Sequence, residues 1–136
     1  MSDDAFTLLV VEDDEATRTF LADNLSADGF ELLVADCARD GLRLIEQKFP
    51  DLVLVDVNLP DHSGLDLISR VRSADQAAGR TETATPMVVL SGRGAELDQL
   101  RGFERGADDY VVKGLSSDRP RLSATLRRVG KRFRSS

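Results

Sequence analysis

Side chains that could do chemistry follow four apolar runs of this 136-residue chain, at the point where each run ends. They are Glu12 and Asp13 after residues 8–11, Asp56 after residues 52–55, Ser91 after residues 87–90 and Lys113 after residues 110–112. Unbroken apolar runs of this kind are typical of buried strands in a parallel sheet. Because the carboxyl ends of parallel strands meet at the edge where α/β sheets bind ligands, we expect these side chains to converge, with Asp56 as the candidate reactive group.

The types of these side chains indicate phosphoryl chemistry at a metal ion. Three clustered carboxylates repel one another and raise one another's pKa unless a cation lies among them. A pocket of carboxylate oxygens favours Mg²⁺, which takes one or two protein carboxylates and leaves its other positions to water and phosphate oxygens. A lysine and a hydroxyl beside the ion would complete a phosphoryl site, the ammonium as a point charge and the hydroxyl as a hydrogen-bond donor.

Predicted helices alternate with these strands along the chain, and a fifth strand is predicted at residues 30–35. Apolar residues recur at helical spacing in five segments: Phe20, Leu21 and Leu25; Ala38, Leu42 and Ile45; Leu65, Ile68 and Val71; Leu97, Leu100 and Phe103; and Leu122, Leu126 and Val129. Strict alternation with short links predicts an α/β fold, a single doubly wound five-stranded parallel sheet with helices on both faces.

Composition suits one domain with a substantial core, since 41% of residues are hydrophobic and 31% are charged. We expect a single domain over residues 1–136, with a core of about residues 6–130 and a basic tail at 131–136. No apolar run approaches the ~20 residues of a membrane span, and the chain begins with acidic residues where a signal peptide would be basic. We therefore expect a cytoplasmic protein that makes no membrane contact. The single cysteine, Cys37, excludes an internal disulfide.

Charge is distributed unevenly along the chain. All 24 acidic residues lie before residue 119, whereas seven of the 18 basic residues follow residue 118. A basic tail can bind nucleic acid, but cations near the end of a last helix also interact favourably with the helix dipole. Because no recognition motif is present, we expect no direct DNA binding by this chain.

Four motifs in order resemble the receiver domain of bacterial two-component response regulators. They are LVVEDD at residues 9–14, LVDVNLP at 54–60, VLSG at 89–92 and GADDYVVK at 106–113. The resemblance covers about residues 6–130, nearly the whole chain. It implies the flavodoxin-like receiver fold, with strand order 2-1-3-4-5.

This resemblance implies that Asp56 is a phosphoacceptor. It would take a phosphoryl group from the phosphohistidine of a sensor histidine kinase or a histidine phosphotransfer protein, forming an aspartyl phosphate. Asp13, Asp56 and the backbone carbonyl of Asn58 would bind Mg²⁺ directly, and Glu12 would act through a water on the metal. Asp14, the remaining acid, is expected to begin the first helix. The chemistry is self-directed, so we expect a phosphorylation switch rather than an enzyme.

The resemblance also implies how the switch reaches its output. Ser91 and Lys113 would hold the phosphoryl oxygens. Tyr110 would be the switch aromatic, turning inward as the Ser91 hydroxyl moves toward phosphate. The output face would consist of the fourth helix, the fifth strand and the fifth helix, and a homodimer could form through it.

One departure from the family pattern keeps the alternative of a degenerate receiver open, and a second alternative is of a different class. The family usually has proline after the lysine, joined by a cis peptide, whereas this chain has Gly114, for which a cis bond would cost about 2.5–4 kcal/mol. Coupling to the last helix is therefore expected to be weaker than in relatives. A degenerate receiver that binds partners without phosphorylation is one alternative. An aspartyl-nucleophile phosphohydrolase is the other, although such enzymes usually show Asp-x-Asp on their first strand.

Overall fold

Five strands form one sheet in a computed structural model of the chain, which describes residues 6–79, 84–92, 95–113 and 119–134. The strands are β1 (Phe6–Val11), β2 (Phe30–Ala35), β3 (Leu52–Asp56), β4 (Met87–Ser91) and β5 (Asp109–Val112). The helices are α1 (Glu15–Ala27), α2 (Ala38–Lys48), α3 (Gly64–Ala77), α4 (Glu96–Arg105) and α5 (Arg119–Arg134). Every strand pairing is parallel and the order is β2-β1-β3-β4-β5. The predicted α/β fold is confirmed.

Strands β1, β3 and β4 are buried on both faces, as their unbroken apolar runs predict. One face carries Leu9, Val53 and Val89 and packs against α2 and α3. The other carries Leu8, Leu54 and Leu90 and packs against α1 and α5. The core therefore lies in two layers, one on each side of the sheet.

The register of the sheet brings the ends of the central strands to one level. Val11 of β1 pairs with Val55 of β3, and Asp56 pairs with Leu90 of β4. Ser91 in turn pairs with Val112 of β5. The residues at or just after these pairs are Glu12, Asp56, Ser91 and Lys113, so the sheet presents them along one edge.

Two helices bury faces that spacing alone does not predict. In α1, Leu21 and Leu25 are buried but Phe20 is 40% exposed, so its predicted place on the same face is wrong. Phe20 is next to Leu21 in sequence and thus about 100° away around the helix. In α4, Leu97, Leu100 and Phe103 are exposed, and the helix instead buries Gly102 against Val89, where an added Cβ would lie 2.7 Å from a Val89 methyl carbon.

The basic tail predicted at residues 131–136 overlaps the last helix. Helix α5 continues to Arg134, so residues 131–134 are helical. Gly114, where the sequence departs from the family pattern, falls outside the described residues. The described residues contain no cis peptide bond. Within the same part of the chain, no helix combines the length and the hydropathy that a membrane span requires.

Candidate functional site

Three carboxylates meet at the carboxyl edge of the sheet, as the sequence predicts. Glu12 follows β1, Asp13 follows Glu12, and Asp56 ends β3. Ligand oxygens of the three lie within 4.8 Å of one another. Glu12 and Asp56 are buried, whereas Asp13 is exposed. The cluster therefore has a closed side against the sheet and an open side at Asp13.

Lys113 supplies the positive charge of the cluster. Its Nζ donates a hydrogen bond to Asp56 Oδ2 at 2.7 Å and lies 2.9 Å from Glu12 Oε1. Partial burial acts to lower the pKa of this ammonium, but its close contacts with Asp56 and Glu12 and the charges of both carboxylates outweigh burial and raise the pKa. The Lys113 backbone N–H donates to the Ser91 carbonyl at 2.6 Å, which holds the lysine beside β4. The side chain is therefore a charged partner to two buried acids.

The loop after β3 orients Asp56. The Asn58 backbone N–H donates to Asp56 Oδ1 at 3.2 Å, so both carboxylate oxygens are engaged. Gly64 begins α3 directly against the same strand, and an added Cβ at Gly64 would lie 2.0 Å from the Asp56 carbonyl oxygen. Only glycine permits this approach of the α3 backbone. Asn58 is exposed at the open side of the site.

Ser91 and Tyr110 both contact side chains of α4. The buried Ser91 Oγ accepts a hydrogen bond from Gln99 Nε2 at 3.2 Å. Within the described residues, no hydrogen bond links Ser91 to Asp56. The Tyr110 ring is exposed and meets Phe103 of α4 edge to face, with ring centroids 6.0 Å apart. The aromatic expected to move inward thus points outward in this structure.

The acid cluster fits a hard divalent cation. All of its side-chain donors are carboxylate oxygens, which Mg²⁺ prefers. Glu12 Oε1 is buried and, within the described part of the chain, accepts no well-directed hydrogen bond, even though Lys113 Nζ lies 2.9 Å away. A buried carboxylate oxygen without a directed donor is costly. A cation or its water would satisfy this oxygen.

Comparison with known proteins decides the family. A family model for the response regulator receiver domain matches residues 8–127. The chain belongs to this family. The receiver is 38% identical over 124 residues to the transcriptional regulatory protein AfsQ1 of Streptomyces coelicolor, covering 90% of this chain and 52% of that protein. It is 36% identical over 123 residues to the KDP operon transcriptional regulatory protein KdpE of Escherichia coli, covering 89% and 51%. The chain thus spans about half the length of these curated relatives.

Solved structures agree with this assignment. The receiver domain of NtrX from Brucella abortus superposes with a TM-score of 0.80 at 28% identity, covering 91% of this chain and 98% of that chain. The chemotaxis response regulator CheY4 of Vibrio cholerae gives a TM-score of 0.79 at 26% identity, covering 92% and 98%. The architecture of this receiver is therefore that of the family.

Sequence reasoning missed the role of Asp61 in the receiver. Its Oδ1 accepts hydrogen bonds from the Ala38 N–H at 2.8 Å and the His62 N–H at 2.9 Å, and its Oδ2 accepts from the Arg39 N–H at 2.9 Å. Asp61 therefore caps the start of α2, where Cys37 makes no side-chain cap. Burial acts to raise the pKa of Asp61, but these three donors outweigh it and lower the pKa to about 2. The partners lie 22 and 23 positions away in the chain, so no local motif marks them.

A second missed cluster surrounds Arg72 of α3. Its guanidinium donates to Asp108 Oδ2 at 3.0 Å, to the Gly106 carbonyl at 2.9 Å, to the Thr85 carbonyl at 2.6 Å and to Asp75 Oδ2 at 3.2 Å. Asp108 Oδ2 also accepts from the backbone N–H of Met87 at 2.8 Å. This cluster joins α3 to the starts of β4 and β5, at the opposite edge from the acids. Gly106 and Asp108 in the GADDYVVK motif therefore support the fold rather than the chemistry.

Proposed function

We propose that the chain is a phosphoacceptor receiver in which Asp56 accepts a phosphoryl group from a phosphohistidine, in a Mg²⁺-dependent reaction. The donor would be a sensor histidine kinase or a histidine phosphotransfer protein, in the cytoplasm. The observation that supports this most is the contact of one ammonium, Lys113, with both buried acids beside the exposed Asp13. A purely structural ion pair would need neither the third carboxylate nor the open side.

The proposed reaction is a single phosphoryl transfer. A bond forms between an Asp56 carboxylate oxygen and phosphorus, the bond from phosphorus to the donor imidazole nitrogen breaks, and the imidazole leaves. The Asn58 N–H holds the carboxylate in a fixed orientation, and Lys113 offsets negative charge on the phosphoryl oxygens. Bound by Asp13, Asp56 and the Asn58 carbonyl, with Glu12 acting through water, Mg²⁺ would neutralise the charge that the transferring group carries.

We propose that phosphorylation then changes the face formed by α4, β5 and α5. A phosphoryl dianion offers three strong acceptors where one carboxylate stood. Ser91 and Lys113 would be drawn toward it, and Tyr110 would turn inward beside them. Because Tyr110 contacts Phe103, movement of the ring would disturb the surface of α4. We assign no substrate turnover and no DNA contact to this chain.

The test is labelling with acetyl phosphate and Mg²⁺, followed by intact mass. One labile phosphoryl group should be added to the wild-type chain, and Asp56→Asn should abolish the addition. Asp36→Asn, which removes an exposed acid just after β2, is the matched control and should label normally. Unchanged labelling of Asp56→Asn would exclude Asp56. A wild-type chain that takes no label would favour the degenerate receiver, and repeated turnover of phosphate esters would favour the phosphohydrolase.

A further inference from the structure

Gln99 lies beside the site, and neither the sequence motifs nor the proposed chemistry assigns it a role. It lies in the first turns of α4, is partly buried, and donates through Nε2 to Ser91 Oγ at 3.2 Å. Ser91 is buried at the end of β4. A buried hydroxyl without a partner is costly, so this bond contributes to the position that the hydroxyl takes.

The bond sets Ser91 apart from the other residues at the sheet edge. Lys113 binds the acid cluster directly, and Glu12, Asp13 and Asp56 form it. The Ser91 hydroxyl instead accepts from a side chain on α4. Asp56 accepts from the Asn58 N–H and from Lys113 in this state, and within the described residues no hydrogen bond joins it to Ser91.

We propose that Gln99 is a positioning residue that holds the Ser91 hydroxyl toward α4 in the phosphate-free receiver. The inference rests on the proposed function, in which Ser91 binds a phosphoryl oxygen on Asp56. For Ser91 to reach that oxygen, its bond to Gln99 breaks. The same event frees a side chain of α4, so the bond couples occupancy of Asp56 to the helix that carries the exposed apolar face.

The bond opposes activation by the free energy that it contributes to the phosphate-free state. A ligand shifts such an equilibrium only by its different affinity for the two states. Removing the Gln99 donor should therefore strengthen binding of a phosphoryl mimic. A net hydrogen bond in a protein corresponds to roughly a two- to tenfold change in an equilibrium constant, and this is the expected gain.

The experiment is a beryllofluoride titration in Mg²⁺, with the dissociation constant read from backbone amide shifts. Gln99→Met keeps the length of the side chain and removes the donor, and it should bind about two- to tenfold more tightly. Gln99→Glu retains a partner for Ser91, since the hydroxyl can donate to the carboxylate, and adds a charge that repels the anionic mimic, so it should bind no more tightly than wild type. Gln47→Met, on an exposed position of α2, controls for the chemical change. Gln99→Ala repeats the test with a different side chain.

Repeating Gln99→Met in the Ser91→Ala background tests whether Gln99 acts through the Ser91 hydroxyl. Without the hydroxyl, the Gln99→Met effect should disappear, because the two residues act on one bond. An equal effect in both backgrounds would overturn the proposal. Unchanged or weaker binding by Gln99→Met, in a wild-type background that binds beryllofluoride, would also overturn it and leave the phosphoacceptor function standing. A wild-type chain that binds no beryllofluoride would overturn both.

Discussion

Lys113 supplies the positive charge of the site, beside two acids. It faces two acids that are buried at the end of a hydrophobic sheet, and its own side chain is 29% exposed. Removing one partner of a buried ion pair destabilises a protein more than replacing both partners with apolar residues, because the other charge is left unpaired. The ammonium therefore lies where it offsets the negative charge of Glu12 and Asp56 together.

Lys113→Met should destabilise the metal-free domain. Loss of one partner of a fully buried pair costs about 3–5 kcal/mol, and partial exposure reduces the expected loss here to about 1–3 kcal/mol. The free energy of unfolding, measured in urea without Mg²⁺, checks this. Lys48→Met, at the exposed end of α2, should change stability by only a few tenths of a kcal/mol. Equal stability of Lys113→Met and wild type would show that Glu12 and Asp56 need no cation.

Asp13 and Glu12 should differ in their effect on the metal. Asp13 is exposed on the open side, whereas Glu12 is buried and faces Lys113. We expect Asp13→Ala to weaken Mg²⁺ binding much more than Glu12→Gln, because a direct ligand brings its charge to the ion and an outer group acts through water. A Mg²⁺ titration followed by calorimetry or amide shifts measures both. The opposite order would mean that the two roles are exchanged.

At the scale of elements, loops as well as strands hold the site edge together. Asp56 ends β3, and the loop after it carries Asp61, which caps α2 across the sheet edge. Ser63 in the same loop caps α3 through its hydroxyl, which accepts from the Leu65 N–H at 3.1 Å. One loop therefore fixes the starts of two helices beside the proposed phosphoacceptor.

Asp61→Ala should destabilise the domain by about 0.5–2 kcal/mol at pH 7, the usual cost of losing a helix cap. The pKa of Asp61 falls from its ordinary 3.8 to about 2 on folding, so its contribution is complete above pH 3.8 and is lost as pH falls toward about 2. The difference between variant and wild type, measured by urea unfolding across this range, should shrink accordingly. Asp23→Ala, at an exposed position within α1, should show no such pH dependence.

The sequence predicts a strand well where apolar residues follow one another without a break. It predicts a side-chain contact poorly where the two residues are far apart in the chain. The apolar runs at 8–11, 52–55 and 87–90 are typical of buried strands, and all three are buried strands in the structure. Spacing located α4 but could not say that Gly102, the smallest residue, marks its inner face, because packing against Val89 decides it. The contacts of Asp61 and Arg72 cross long stretches of chain, so only the folded structure reveals them.

Over the part of the molecule that the structure describes, four of the seven large apolar side chains left exposed lie on α4 and β5. Leu97, Leu100 and Phe103 of α4 and Tyr110 of β5 are all exposed, and Leu100 is 57% exposed. Adjacent exposed apolar groups are typical of interaction sites. This agrees with the homodimer face that the family resemblance suggests.

The receiver should therefore dimerise through this surface when activated. We expect beryllofluoride and Mg²⁺ to raise the sedimentation coefficient of the wild-type chain to that of a dimer, and Leu100→Asp to remain a monomer because a charge would be buried in the contact. Phe49→Asp, a charge placed at an exposed aromatic outside this surface, should still dimerise. Dimerisation of Leu100→Asp would locate the contact elsewhere.

Activation should also affect helix α4 more than helix α5. Helix α5 has anchors of its own, since Ser123 Oγ donates to Asp28 Oδ2 at 2.5 Å and the Arg127 guanidinium lies 4.5 Å from the Phe30 ring centroid. Amide shifts of Tyr110 and residues 92–105 should therefore change more on beryllofluoride binding than those of residues 119–130. Changes confined to the neighbours of Asp56 would indicate a site that binds without switching.

The burial of Asp56 also affects how long a phosphoryl group on it would last. Its side chain is closed off on the sheet side and approached from the side of the exposed Asp13 and Asn58. Excluding water from a site protects a reactive intermediate from hydrolysis, so an aspartyl phosphate formed there would outlast the encounter that produced it. The domain would then stay phosphorylated after the phosphodonor has left, and the packing around the Asp56 carboxylate would set the lifetime of the phosphorylated state.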